Sequence, residues 1–254
     1  MSKLVYNAAG TRLYETGVSD VVLYVAANTP TGGEGNTGYM AGVAWQGCTG
    51  ITETPSGGDE TKLWADNIKY LSMRSAEDYG ATVTAYMYPD EWAECDGSSL
   101  LANNILSVSQ QPRKGFCLAF KTIVGSDQKG DDYGYKIHIL YGCTTSPSER
   151  SNPTVNESPT ATEFSWTLST NPIDPKITVS GKKLKPTARI VIDVSKVTSM
   201  TDGAEKTAAM AKIKQIEDAL WGVDADSTVE PAITGSNPKI LMPNEVYTIL
   251  TANS

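Results

Sequence analysis

The sequence predicts a mainly β protein of antiparallel strands, with one short helix between strands and a C-terminal extension that contains a longer helix. The clearest strand is Tyr133–Cys143, where large apolar residues alternate with Gly134, Lys136 and His138. Alternation of this kind places the two sets on opposite faces of a strand. Residues 163–169 repeat the pattern, and clusters of glycine, proline and small polar residues separate the alternating segments.

The composition is that of a folded protein. The 254 residues are 40% hydrophobic and 8% aromatic, which supports a hydrophobic core and excludes wholesale disorder. No apolar run approaches the roughly 18 residues needed to span a bilayer, so no membrane association is predicted. The N-terminal residues lack the apolar segment of a secretory signal, and synthesis in a cytoplasm is therefore expected.

Neither a metal site nor a cofactor is predicted. The four cysteines occur without a C-x-x-C pair, and His138 is the single histidine. A structural zinc site would need distant thiols for nearly all of its ligands. Reduced, buried cysteines that pack as small apolar side chains are the preferred interpretation.

The net charge of −8 is distributed unevenly along the chain. Residues 1–100 hold five Lys and Arg against thirteen Asp and Glu, whereas residues 101–254 hold sixteen of each. A direct nucleic-acid binder would show a basic stripe, which this sequence does not have. Solubility is one sufficient reason for the acidic excess.

The first part of the chain predicts a long hairpin. Val21–Ala26 is a β-branched and aromatic run typical of a strand, and a polar, glycine-rich loop follows over Asn28–Tyr39. Gly42–Thr54 and Lys62–Arg74 are the two expected strands of the hairpin. Pro55–Asp59, which lies between them, is expected to form a glycine-rich tip.

Further strands and a short helix follow. Gly80–Tyr88 alternates again, and Pro89–Gly97 has the features of a helix: a proline for its first position, acids behind it and a closing glycine. Gly115–Val124 is the expected hairpin partner of Tyr133–Cys143. Glu163–Ser169 has the pattern of a half-buried antiparallel strand.

The sequence divides into a β domain over residues 1–171 and a C-terminal extension over residues 172–254. Prolines separate two short β segments of the extension, Lys176–Ser180 and Thr187–Val194. Apolar residues at helical spacing predict an amphipathic helix over about residues 202–221, which Gly222 ends. Pro243 is predicted to start a last short helix.

Residues that catalysis requires are scarce, and the chain is not expected to be an enzyme. His138 lies on the predicted polar face of a strand, and neither a nucleophile turn nor a phosphate-binding motif is present. Glycosidase or calcium-binding roles for paired carboxylates are less favoured, because these pairs lie at turns or helix starts, where acids are common for local reasons. The pairs are Asp59-Glu60, Asp90-Glu91 and Asp131-Asp132.

Tryptophans raise an alternative function from a different class. Trp45, Trp64, Trp92 and Trp166 could form the platform of a sugar-binding site. Trp45 and Trp166 share predicted strand faces with apolar residues, however, so packing in a β core is preferred for those two. A carbohydrate-binding β-sandwich or adhesin module is therefore kept as the alternative.

Five segments, taken in their order, resemble the major tail tube proteins of long, non-contractile phage tails, the siphophage group often labelled phi13-type major tail proteins. The resemblance implies a β-sandwich or open barrel with one helix. No segment is specific alone, and their order carries the resemblance. The segments are LWADNIKY (Leu63–Tyr70), YMYPDEWAECDG (Tyr86–Gly97), GFCLAF (Gly115–Phe120), YGYKIHILYGCTTSPSER (Tyr133–Arg150) and LWGVDADSTVEPAITGSNPKILMPNEVYTIL (Leu220–Leu250).

The resemblance implies a self-assembling structural subunit of the virion tail. Six copies would form a ring, and rings would stack into a tube that conducts DNA during ejection without binding it specifically. The implied partners are the tape-measure protein, the tail terminator and the distal tail protein. Part of the acidic excess is expected to line the channel, because acidic walls repel phosphate. Residues from about 172 onward would either decorate the outside or reach into neighbouring subunits.

The predicted hairpin tip is the expected contact between rings. A glycine-rich segment of this kind is flexible alone and becomes ordered on stacking. The contact residues are expected to be Thr52, Glu53, Pro55, Gly57, Gly58, Asp59, Glu60 and Lys62.

Overall fold

The computed structural model describes residues 6, 8–27, 38–154, 161–226 and 234–252. Most of the loop predicted over Asn28–Tyr39 lies outside the described residues. The described part is mainly β, and every paired set of strands is antiparallel, as the sequence predicts.

The described ranges contain sixteen strands and four helices. The strands are β1 (Leu13–Val25), β2 (Val43–Ala44), β3 (Cys48–Glu53), β4 (Ser56–Gly57), β5 (Glu60–Ala65), β6 (Ile68–Arg74), β7 (Glu77–Asp78), β8 (Gly80–Ala85), β9 (Ser98–Leu101), β10 (Leu106–Ser109), β11 (Phe116–Ser126), β12 (Gly130–Thr145), β13 (Phe164–Thr170), β14 (Thr178–Val179), β15 (Lys182–Lys183) and β16 (Arg189–Asp193). The helices are α1 (Trp92–Asp96), α2 (Val194–Thr198), α3 (Ala204–Trp221) and α4 (Pro243–Thr251).

One curved sheet organises the molecule. Its strand order is β2-β1-β11-β12-β13-β8-β3, and β16 pairs with β12 beside this path. β1 and β3, which stand near opposite ends of the order, come into contact with each other. The sheet therefore wraps around its inner face as an open barrel.

The inner core of the barrel is rich in aromatic residues. Trp92, at the start of α1, is fully buried and packs against Trp45, Trp166 and Phe116 at ring-centroid distances of 4.5, 5.3 and 4.9 Å. Alternate residues of β8, β11 and β13 complete this core. Burial of Trp45 and Trp166 confirms their prediction as core residues.

The outer face of the same sheet is buried as well. Ile137 and Ile139 of β12 lie in a second core that α3 and α4 supply with Ile213, Ile216 and Val246. The buried Tyr24 and Tyr141 hydroxyls donate hydrogen bonds to the carbonyls of Leu220 and Leu241, respectively. The C-terminal segment thus forms an outer layer on the barrel.

The predicted helices of the extension are confirmed with small changes. α3 spans Ala204–Trp221, and α4 begins at Pro243. Helix α2 was not predicted from the sequence. β16, which precedes it, pairs with β12, so part of the extension shares the main sheet. The proposed boundary between residues 171 and 172 stays a prediction.

The position of His138 corrects its prediction as a residue on a polar strand face. It does alternate with Ile137 and Ile139, but its side chain is buried. Phe120 and Thr122 of β11 and Arg189 of β16 surround it, because β12 has a paired strand on each side at this level. Helix α1 likewise begins at Trp92 rather than at Pro89, and Gly97 ends it as predicted, with φ +80°.

The predicted hairpin exists, but its tip and its strand pairing were wrong. β3 pairs with β8, β4 with β7 and β5 with β6, so one long hairpin extends from the barrel and returns. The turn is Asp66-Asn67, within the predicted strand Lys62–Arg74, and both residues have positive φ. Asp and Asn tolerate this conformation and favour two-residue hairpin turns. Pro55–Asp59 lies midway along the outgoing side instead.

Candidate interaction surface

The outer part of the long hairpin, residues 54–79, projects from the barrel and is named the arm. All of its residues except Ala65 and Tyr79 are exposed. It consists of the short pair β4–β7 near the barrel and the longer pair β5–β6 at its end. A two-stranded hairpin without further support is only marginally stable in water. The arm therefore has little stabilising contact with the described rest of the chain beyond its root.

One face of β5–β6 is apolar. Leu63 lies opposite Leu71, Thr61 opposite Met73, and Ala65 opposite Ile68, and directly paired residues share a face of the ribbon. Ile68 is 64% exposed and Leu71 47%. Monomeric proteins rarely leave contiguous apolar surface of this kind uncovered.

The opposite face of the ribbon is mostly polar. Lys69 Nζ lies 2.6 Å from Glu60 Oε1, which also accepts a hydrogen bond from Ser72. These contacts lower the pKa of the Glu60 carboxyl, the Lys69 hydrogen bond contributing most. Trp64, 67% exposed, lies on this face next to a register shift. The two faces of the ribbon thus differ in chemistry, so a partner would bind them in one orientation.

The residues predicted to form an inter-ring contact are not brought together at a tip. Thr52 and Glu53 end β3 at the root of the arm, and the others follow one another along its outgoing side. Gly57 has φ +82°, and a Cβ there would lie 2.4 Å from the carbonyl oxygen of Ala76. Only glycine therefore fits where β4 crosses close to the returning strand.

The apolar residues at the end of the arm were missed as site residues. The sequence does contain a signal for them, since Asp66-Asn67 is flanked by two short apolar segments. Such a dipeptide between strand-like segments is typical of a tight hairpin turn.

Polar contacts hold the arm root to the C-terminal half of the chain. Glu53 Oε2 lies 2.5 Å from Arg189 Nη1 of β16, whose guanidinium lies over the ring of Tyr79. On the returning side, Thr170 Oγ1 donates a hydrogen bond of 2.6 Å to the Tyr79 carbonyl oxygen. Both strands of the arm are thereby fixed where they leave the barrel.

His138 lies beneath this root. Its ring stacks on Phe120 at 4.7 Å, Nε2 lies 2.8 Å from Thr122 Oγ1, and Nδ1 lies 3.9 Å from Glu53 Oε1. Burial, followed by the charge of Arg189, lowers the pKa of His138 to about 4, although Glu15 opposes the shift. The imidazole is therefore neutral at pH 7 and acts as a packed polar side chain.

Part of the acidic excess of the first hundred residues is paired in space with bases from the rest of the chain. Five of these acids form ion pairs with bases beyond residue 100. Four others, Asp59, Asp66, Glu77 and Asp78, lie on the arm and make no ion pair with a described residue. Asp90 and Glu91, just before α1, also make no ion pair with a described residue, so the arm holds four of the six described acids of this region that lack one. The five pairs are Glu15–Lys136, Asp20–Lys121, Glu53–Arg189, Glu94–Lys114 and Asp96–Arg150.

The four cysteines are free thiols, as predicted. Burial raises the pKa of Cys95 to about 12 and that of Cys117 to about 11, so neither is a reactive thiolate at neutral pH. Within the described ranges, no group of three or more His, Cys, Asp or Glu residues could hold a metal ion. Nor do these ranges contain a helix with the length and apolarity needed to cross a membrane.

A groove of about 860 Å³ lies at the end of the barrel away from the arm. Helix α1 and one face of the β9–β10 hairpin form its walls, with Tyr88, Phe164 and Arg150 between them. Arg150 lies over both aromatic rings and pairs with Asp96 at 2.5 Å. Hydroxyl and amide side chains line the remainder.

No model of a known protein family matches the chain, and no curated protein matches it. The functional inference therefore depends on the arm, the groove and the resemblance of the segments.

Proposed function

We propose that this chain is a structural subunit that assembles with copies of itself into rings, and that the rings stack into a DNA-conducting tail tube. The arm is the observation that carries the proposal. It is a ribbon more than twenty residues long, exposed on both faces, with an apolar face and two strand edges that pair with no other strand of the described residues. Such edges and faces bind other chains unless a protein covers them.

A second copy of the same chain is the partner that the proposal names. Closed rings of one subunit pair each exposed edge with the next subunit and leave none free. The resemblance to tail tube proteins supplies the six-fold ring, the stacking, the tail partners and the virion location. The groove end and the arm end lie at opposite ends of the barrel, which suits stacking of one ring on another.

The unpaired acids of the arm support the expected acidic channel. Of these acids, Asp66 at the turn of the arm would repel phosphate if the ends of the arms line the lumen, so DNA would slide rather than adhere. Tubes of the Asp66→Asn variant are expected to retain DNA during ejection. Unchanged DNA release would remove the channel role while leaving assembly intact.

Electron microscopy and sedimentation velocity of concentrated protein test the proposal. Wild-type protein is expected to form rings or tubes, and the double variant Leu71→Ser/Met73→Ser is expected to remain monomeric with unchanged far-UV circular dichroism. The matched control is Met200→Ser/Met210→Ser, which removes two exposed apolar side chains from the outer helical layer, away from the arm and the groove. Monomeric wild-type protein at all concentrations, or tubes from the arm variant, would refute the role of the arm.

The groove is the feature that supports the carbohydrate-binding alternative. Its aromatic rings, arginine and hydroxyl-rich walls resemble the chemistry of sugar sites. Three of the four tryptophans first considered for a sugar platform are buried in the core, however, and Trp64 lies on the arm. Saturable binding to a glycan array that Arg150→Ala abolishes, by a protein that stays monomeric, would favour this alternative.

A further inference from the structure

A second exposed hairpin carries the opposite charge to the arm. Residues 176–185, named the lysine hairpin, form β14 and β15 with a turn at Ser180-Gly181 and hold four lysines. Lys183 pairs with Asp174 at 2.6 Å. Lys182 and Lys185 are exposed and make no ion pair with any residue that the structure describes.

The lysine hairpin is anchored beside the arm root. The segment that contains it begins after Thr170, which bonds to Tyr79, and ends before Arg189, which pairs with Glu53. A bridge between Ile173 and Thr187 closes its base. Both ends of the segment thus meet the arm at the same end of the barrel.

The nearest part of the arm is acidic. Glu77 and Asp78 form β7, directly before Tyr79, and Asp59 directly precedes β5 on the outgoing side. These three residues are named the acidic waist. β4–β7 pairing holds Asp78 opposite Ser56 and Glu77 opposite Gly57. No ion pair joins the acidic waist to the lysine hairpin within the described chain.

We propose that the lysine hairpin of one subunit binds the acidic waist of the neighbouring subunit in the same ring. This contact rests on the proposed function and names the lateral partner that the function requires. Each chain carries a net charge of −8, so copies repel one another unless opposite charges meet locally. The lysine hairpin supplies the positive charge for such a meeting.

The positions of the lysine hairpin and the acidic waist favour a lateral contact within a ring. The lysine hairpin and the acidic waist both lie at the arm end of the barrel. In subunits whose barrels stand side by side, they are therefore at the same position along the barrel axis. A contact between two different surfaces of identical subunits is heterologous, and it closes a ring when the rotation between subunits is repeated. Contacts between stacked rings would instead join opposite ends of the barrel.

Charge reversal and charge exchange test this contact. Lys182→Glu/Lys185→Glu is expected to raise the protein concentration needed for assembly at least about tenfold, because like charges then face each other. Glu77→Lys/Asp78→Lys is expected to do the same. The variant with all four changes restores opposite charges and is expected to assemble near the wild-type concentration.

A control variant separates the effect of this contact on assembly from the effect of net charge. Lys214→Glu/Lys239→Glu changes the net charge equally but lies on α3 and in the segment before α4, away from the arm root. Circular dichroism and urea unfolding of each variant confirm that the fold is retained. Assembly of wild-type protein through this contact should also weaken as salt rises.

The outcomes distinguish this contact from the proposed function. If wild-type protein forms no rings or tubes, both fail. If wild-type protein assembles and the Lys182/Lys185 variant behaves like the control, or the four-change variant does not recover, the lateral contact alone is overturned. Recovery by charge exchange, with the control unaffected, establishes it.

Discussion

Acidification to pH 5 is expected to destabilise the fold chiefly through His138. This residue is the single histidine of the chain, so its titration can be followed without overlap from another imidazole. In the folded protein it is buried among Phe120, Thr122 and Arg189, with Glu15, Glu53 and Lys136 as the other charged groups nearby. These surroundings hold the pKa of the ring near 4, against about 6.5 in an unfolded chain.

The sign and size of the effect follow from this difference. Between pH 7.5 and pH 5 the unfolded chain takes up a proton on the imidazole, whereas the folded protein does not. When the pKa of a group is lower in the folded than in the unfolded protein, the unfolded chain binds more protons between the two pKa values. The free energy of unfolding is therefore highest above the unfolded pKa and decreases as the pH falls towards the folded pKa. With values of 6.5 and about 4, the free energy of unfolding should fall by about 2 kcal/mol between pH 7.5 and pH 5.

Two measurements check this expectation at a concentration where the protein is monomeric. The proton resonances of the imidazole ring should titrate with a midpoint near 4 in the folded protein. Urea unfolding at the two pH values should show the loss in wild-type protein and a much smaller loss in His138→Phe, which keeps the aromatic stack on Phe120. A folded-state midpoint at or above 6, or an equal loss of stability in His138→Phe, would refute the argument from burial.

Three further predictions concern the core, the root and the arm. Trp92→Ala should lower the free energy of unfolding by about 3–5 kcal/mol in urea titrations, since it empties a fully buried aromatic site; a loss below about 1 kcal/mol would contradict this packing. Arg189→Ala should cost about 1–3 kcal/mol, because the Glu53–Arg189 pair is only partly buried, and should raise the pKa of His138, whereas Arg189→Lys should preserve that pKa. Deletion of Pro55–Asp59 should leave a folded monomer by circular dichroism that forms no tubes by electron microscopy; normal tubes would contradict a role for the arm.

The barrel strands could be predicted from the sequence because their periodicity has a direct physical cause. Phe116, Leu118 and Phe120 alternate into the inner core, and Ile137 and Ile139 alternate into the outer one. What the periodicity could not show is that the second face of these strands is also covered. Coverage depends on α3 and α4, which begin 59 and 98 residues after the end of β12.

The arm was harder to predict for a different reason. In a strand with one buried face, apolar and polar residues alternate visibly, but both faces of β5–β6 are exposed and carry large apolar residues such as Trp64 and Tyr70. Glycine and proline near Gly57 therefore predict a turn there, although they mark a close crossing of two strands. The actual turn uses Asp66-Asn67, which contains no glycine.

The distribution of charges in the folded protein also differs from their distribution along the chain. Acids before residue 100 and bases after it are not two segregated regions, because Glu15, Asp20 and Glu53 each pair with a base from β11, β12 or β16. Among the charges without an ion-pair partner in the described chain are Glu77 and Asp78 of the arm and Lys182 and Lys185 of the lysine hairpin, and both elements are anchored at the arm root. The lateral contact proposed above would pair these two elements between neighbouring subunits.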